Sequence, residues 1–351
     1  MVMNKEAKEV LTFKPKQAVK TLLGGLSERA GKIVRMRFGL DENEGMTLEA
    51  IGQIYGITRE RVRQIEDFAL KAVRKSPAFT EAGVIFDEVK TAMEEYGGLV
   101  HEREFLHHLA KDQTTQNNLH FLLVLGDAFT RLREDDTFHH RWTTDETLAG
   151  SVHQSLKNLC LKLTDDDLLS ESEIVARLLA NLATDLPAEK AEPHARRWLA
   201  LSKEVGQSPI GEWGLTRSPN VRVRGIRDYA YLIMRRHGSP MHFTEVAKAI
   251  GETFGRRANA ATCHNELIKD PRFVLVGRGM YALAEWGYAP GIVRDVIAAI
   301  LEKNGPLSKA EVIAKVMKER YVKPNTILVN LKNPKYFKED KQGKFSVVKA
   351  K

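Results

Sequence analysis

The run Thr58-Arg-Glu-Arg-Val-Arg-Gln-Ile-Glu sets Arg59, Glu60, Arg63 and Gln64, with Asp67, on one side of a predicted helix. Val62, Ile65, Phe68, Ala69, Ala72 and Val73 recur at three- and four-residue spacing and are expected to face a core. Exposed side chains on the first two turns of such a helix can enter the major groove of duplex DNA. There arginine bridges guanine O6 and N7, glutamine bridges adenine N6 and N7, and a carboxylate accepts from cytosine N4. Arg61, with Arg35, Arg37, Lys71, Arg74 and Lys75 around it, suits phosphate contacts that fix register. The same pattern also describes a solvated charged helix face, and the residue types alone leave both open.

Elements that can hold this face are legible on either side. Ser27 can cap a helix over 26–38, and Thr47, after the loop 39–45, can cap a second over 48–55. Gly56 supplies a tight turn, and Thr58 caps the third helix, over 59–73. The result is a helix-turn-helix.

Composition bounds the rest. The 351 residues carry a net charge of +8, unevenly spread. Residues 1–78 hold 15 Lys/Arg against 10 Asp/Glu, 79–215 hold 13 against 24, and 216–351 hold 26 against 12. Basic ends favour polyanions, whereas the acidic middle is expected to be repelled by phosphates and to contact protein or act as a spacer. No apolar run is long enough for a membrane span, and the lysine-rich start, residues 1–20, lacks a secretory signal, so a cytoplasmic, nucleoid location is expected. Cys160 and Cys263 stand in no metal-ligand spacing and are expected to be buried small residues, without disulfide or zinc. No Walker loop, GxGxxG, HExxH or GxSxG occurs. Asp165-Asp-Asp precedes a helical run and suits a cap better than a metal. His107-His108 and His139-His140 lack further ligands. No enzyme, cofactor, metal or small-molecule substrate is expected.

Behind the helix-turn-helix, one order of features recurs four times: an apolar helix, a break, two more helices, then a hairpin with an aromatic end. Asp270-Pro-Arg-Phe and Asn333-Pro-Lys-Tyr open the last two hairpins in the same slot, and each hairpin closes around a glycine turn. Three helices and a two-stranded wing make a winged helix. The expected fold class is therefore mainly α, a helix-turn-helix followed by tandem winged-helix modules. The expected domains are 1–78, 79–145, 150–217, 222–287 and 290–351. Possible DNA contacts in the third module are Arg256, Arg257, Asn259, Asn265 and, on its wing, Arg278. In the fourth they are Lys323, Asn325, Lys332 and, on its wing, Lys344. Solvating surfaces on protein-binding modules would look the same.

Leu26-Ser-Glu-Arg, Val34-Arg-Met-Arg-Phe-Gly-Leu, Thr47-Leu-Glu-Ala-Ile-Gly and the Thr58 run, in this order, closely resemble region 4 of the sigma-70 family. The resemblance covers about one-seventh of the chain. It implies that Arg59, Glu60, Arg63 and Gln64 contact bases of the promoter −35 element. It also implies that Thr47, Leu48 and Arg61 lie at the DNA backbone, and that the unit docks on the β flap of RNA polymerase. No counterpart of the family's promoter-melting region 2 is found, so a self-sufficient initiation factor is not expected. Gly225-Ile-Arg-Asp-Tyr-Ala-Tyr, Pro240-Met-His-Phe-Thr-Glu-Val-Ala and Gly279-Met-Tyr-Ala-Leu resemble the HARE-HTH winged helix of the RNA polymerase delta subunit type. Together these imply a transcription factor binding double-stranded DNA and RNA polymerase. A polymerase-binding, anti-sigma-like modulator without its own site is one alternative, and a DNA-targeting subunit of a restriction or defence system is another.

Overall fold

The computed structural model describes residues 11–183, 186–288, 291–320 and 322–348, so the first ten residues of the lysine-rich start lie outside it. The chain is mainly helical, and its residues cluster into two compact units. One comprises residues up to 207 with 212–216, the other 208–211 with 217–351.

The first unit opens with α1 (Pro15–Leu23), α2 (Glu28–Phe38), α3 (Leu48–Tyr55) and α4 (Arg59–Arg74), then a short α5 (Pro77–Glu81). Next come α6 (Gly83–Tyr96), β1 (Leu99–His101), α7 (Glu102–Leu109), α8 (Gln113–Leu125), β2 (Thr130–Leu132) and β3 (Arg141–Thr143). The strands form an antiparallel sheet in the order β1-β3-β2, with Val100 opposite Trp142. A second repeat follows as α9 (Glu146–Lys162), α10 (Glu171–Leu179), α11 (Ala188–Leu199), β4 (Val205–Gln207) and β5 (Trp213–Leu215). Here the third strand shrinks to one bridge between Leu169 and Trp213.

The second unit contains α12 (Ile226–His237), β6 (Met241–His242), α13 (Phe243–Phe254), α14 (Ala260–Lys269), β7 (Phe273–Gly277) and β8 (Met280–Leu283). It ends with α15 (Val293–Asn304), β9 (Leu307–Ser308), α16 (Lys309–Glu319), α17 (Pro324–Leu331), β10 (Phe337–Glu339) and β11 (Lys344–Val347). Its sheets run β6-β8-β7 and β9-β11-β10, the strand order of the first repeat.

One feature of the core cuts across the boundary expected near residue 78. A single cluster of buried side chains joins Val19, Leu22, Val34, Ala69 and Val73 to Phe86, Phe105, Phe121, Leu122 and Trp142. The helix-turn-helix and the first repeat therefore share a core. Helix α8 makes this possible, because its C-terminal half is almost wholly apolar and buries Leu119, Phe121, Leu122, Leu123 and Leu125.

Candidate nucleic-acid interface

Local chemistry fixes the helix-turn-helix. Thr47 Oγ1 accepts from the Ala50 N–H at 3.1 Å, and Thr58 Oγ1 accepts from the Arg61 N–H at 3.2 Å, capping α3 and α4 where the sequence predicts. Gly56 turns the chain between them at φ +62°, a conformation that favours glycine. Gly52 lets α3 approach that turn closely: a Cβ there would lie 2.6 Å from the Ile57 carbonyl oxygen. Ile33, Ile51 and Val62 then form a small buried core beneath the motif.

With Val62 inward, Arg59, Glu60, Arg63 and Gln64 all point outward on the first two turns of α4. They are organised among themselves. The Arg63 guanidinium donates to both Glu60 carboxylate oxygens, at 2.9 and 2.7 Å, and to Asp67 Oδ2 at 2.7 Å. Arg61 Nη1 donates to Gln64 Oε1 at 3.1 Å. The hydrogen bond from Arg63 holds the Glu60 carboxyl below its ordinary pKa, and the same pairing raises that of Arg63. Both ends are exposed, so such pairs contribute little to stability and exchange readily for a ligand.

The neighbouring candidates divide. Arg61 and Lys71 are exposed, and Thr47 and the half-buried Leu48 sit at the start of α3. Arg74 is committed elsewhere: it donates to the Leu125 and Val124 carbonyl oxygens at 3.0 and 2.8 Å, closing the C-terminus of α8. Arg37 turns inward, donating to the Met46 carbonyl and lying 3.5 Å from Glu66, whose carboxyl is raised in pKa by burial. Phe68 corrects the expected core. It is 72% exposed, because Ile65 and Ala69 turn toward the core and leave position 68 on the rim. Phe68 and Ile65 instead line a groove of about 570 Å3 of mixed polarity, with Ala30 and Ile57 on one hand and Arg29, Arg61 and Gln64 on the other.

In the second unit Arg256, Arg257, Asn265, Arg278, Lys323, Asn325, Lys332 and Lys344 are exposed. Arg256 stacks over Tyr229, 5.4 Å from its ring centre. Asn259 is occupied as a cap, accepting from the Ala261 and Thr262 N–H groups. Helices α14 and α17 keep an outer face open, burying only Cys263 and Leu267, and Ile327 and Leu331. Cys160, expected to be buried, is half-buried.

The third helices of the two acidic repeats are used differently. Asn117 Nδ2 faces the carbonyl oxygens of Gly39, Glu42 and Asn43 at 3.0–3.2 Å, and Asn118 Nδ2 donates to Leu40 O at 2.9 Å. Thus α8 holds the loop between α2 and α3. On α11, Arg197 and Trp198 donate to the Tyr96 and Gly97 carbonyls at 2.6 and 3.1 Å, ending α6. Asn117 and Asn118 escaped the sequence analysis, since two asparagines before an apolar run carry no periodic signal.

Comparison with known proteins falls on the same helices. Over 59 residues the chain is 46% identical to the RNA polymerase sigma factor SigA of a Bacillus species, a stretch that is 17% of this chain. It spans 16% of that sigma factor's length. No helix among the described residues is long and apolar enough to cross a membrane. Residues 22–75, which contain α2, α3 and α4, match the family described as Sigma-70, region 4.

Proposed function

We propose that this chain is a non-enzymatic transcription factor that reads a −35-like duplex in the major groove through Arg59, Glu60, Arg63 and Gln64. One observation carries this: those four side chains project together from the first turns of α4, inside the stretch matching sigma-70 region 4. Thr47, Leu48, Arg61 and Lys71 serve as backbone contacts beside them. RNA polymerase is the second partner, with its β flap against Phe68, whose exposed aromatic ring favours a protein contact. The four repeats act as winged-helix modules, the third of HARE-HTH type. The last two add duplex contacts through the open faces of α14 and α17 and the wing residues Arg278 and Lys344.

Mapping the DNA bound by the full chain across a bacterial genome, alongside capture of polymerase, tests this. Enrichment at promoters with a −35-like element, lost in Arg63→Ala, is expected. Polymerase captured without any preferred sequence would replace it with the modulator role that the Phe68 groove alone supports. Preferred sites away from promoters, without polymerase, would point to DNA targeting in a defence system.

A further inference from the structure

Between the first and second repeats, both inside the first unit, a cleft of about 1010 Å3 opens. That is the size of a small-molecule site. Arg103 and His107 of α7 line it, as do Leu199 at the end of α11, Val205 of β4 and Trp213 of β5.

Its walls are rich in donors. His101 Nδ1 accepts from the Glu104 N–H at 3.2 Å, which leaves Nε2 as the N–H of a neutral ring. Burial, reinforced by His139 alongside, pushes the His101 pKa down and keeps that ring neutral. Trp213 lines the cleft with a half-buried ring, while its Nε1 is shut off from solvent. Arg103 and Lys111 add two cations against one carboxylate, Glu104. The cleft thus reverses the sign of its surroundings, since residues 79–215 carry 13 Lys/Arg against 24 Asp/Glu. Duplex DNA would be repelled by that acidic segment, whereas a small anion can enter.

We propose that this cleft binds a small organic anion carrying an aromatic or aliphatic group. Arg103, Lys111 and the N–H of His101 take the acidic end, and the half-buried rings of Tyr96 and Trp213 take the apolar end. Such a ligand touches both acidic repeats, and therefore stabilises the unit in proportion to its occupancy. This site is independent of the DNA-reading face and fails or stands without it.

The test is a titration of the full-length chain with phenyl phosphate, benzoate and uncharged benzyl alcohol. It follows the indole N–H resonances by NMR, with the Trp213 signal assigned through Trp213→Phe. A saturable shift of that signal by phenyl phosphate or benzoate is expected. The tighter of the two identifies a phosphate-bearing or a carboxylate-bearing ligand. Substituting Arg103→Ala and Lys111→Ala together should weaken binding about tenfold or more. Both residues are exposed, and an unchanged circular dichroism spectrum controls for folding. The proposal is overturned by benzyl alcohol binding as well as the anions, by unchanged affinity in the double variant, or by no saturable shift up to about 10 mM.

Discussion

Arg63 Nη1 donates to Asp67 Oδ2 at 2.7 Å while the same guanidinium grips Glu60 one turn earlier. The arginine at the centre of the exposed face of α4 is thus held between two carboxylates. If this face reads DNA as proposed, both carboxylates repel phosphates and so favour a specific guanine contact over non-specific backbone binding.

Arg63→Ala should therefore cost about 1–3 kcal/mol on the preferred duplex and relax preference at one base pair. Asp67→Ala should act oppositely on non-specific DNA, strengthening it and narrowing the ratio between preferred and random duplexes. Fluorescence anisotropy with both duplexes, at one fixed salt concentration, measures each. Unchanged discrimination in both variants would remove Arg63 from base reading.

Asn118 is buried, and its amide donates to the Leu40 carbonyl across the shared core. Asn118→Ala leaves that carbonyl unpaired and should destabilise the first unit by about 1–3 kcal/mol. Because loop 39–45 ties α2 to α3, the helix-turn-helix should unfold with the first repeat in one transition. Urea denaturation followed by near-ultraviolet circular dichroism checks both, and two separable transitions would contradict the joint core.

Burial is the leading cause that holds His101, His108, His120, His153 and His194 below the ordinary histidine pKa. For His153 burial, then the Arg141 guanidinium beside it, bring the value down to about 4 from 6.5. A lowered histidine means that the unfolded chain binds more protons across this window, so stability rises with pH there. The contribution is complete above 6.5 and is lost as pH falls from 6.5 toward about 4. Urea midpoints taken at several pH values should fall across that range, and His153→Gln should flatten the slope.

Lys332 is exposed just beyond α17. If the last repeat follows the phosphates, Lys332→Ala should weaken all duplexes about equally and shallow the salt dependence by about one unit. Binding isotherms at several salt concentrations read the slope directly, and an unchanged slope would take Lys332 off the DNA.

The sequence by itself determined the features set by local chemistry. Thr47, Gly56 and Thr58 specify caps and a turn within a few residues of one another, and Val62 inward places Arg63 and Gln64 outward by helical period alone. The order of helices and hairpins was legible for the same reason, whereas the third strand that β1, β6 and β9 add to their hairpins was not. What only the tertiary structure decided depends on partners distant in the chain. Arg74 looks like any basic residue on a DNA-binding helix until the end of α8, some fifty residues on, supplies its acceptors. Phe68 fits the apolar stripe of α4, yet the neighbouring helices meet Ile65 and Ala69 instead and leave it on a rim. Helix α8 occupies the same place in its repeat as α14 and α17 in theirs, and only packing shows that its face is spent on holding the loop between α2 and α3.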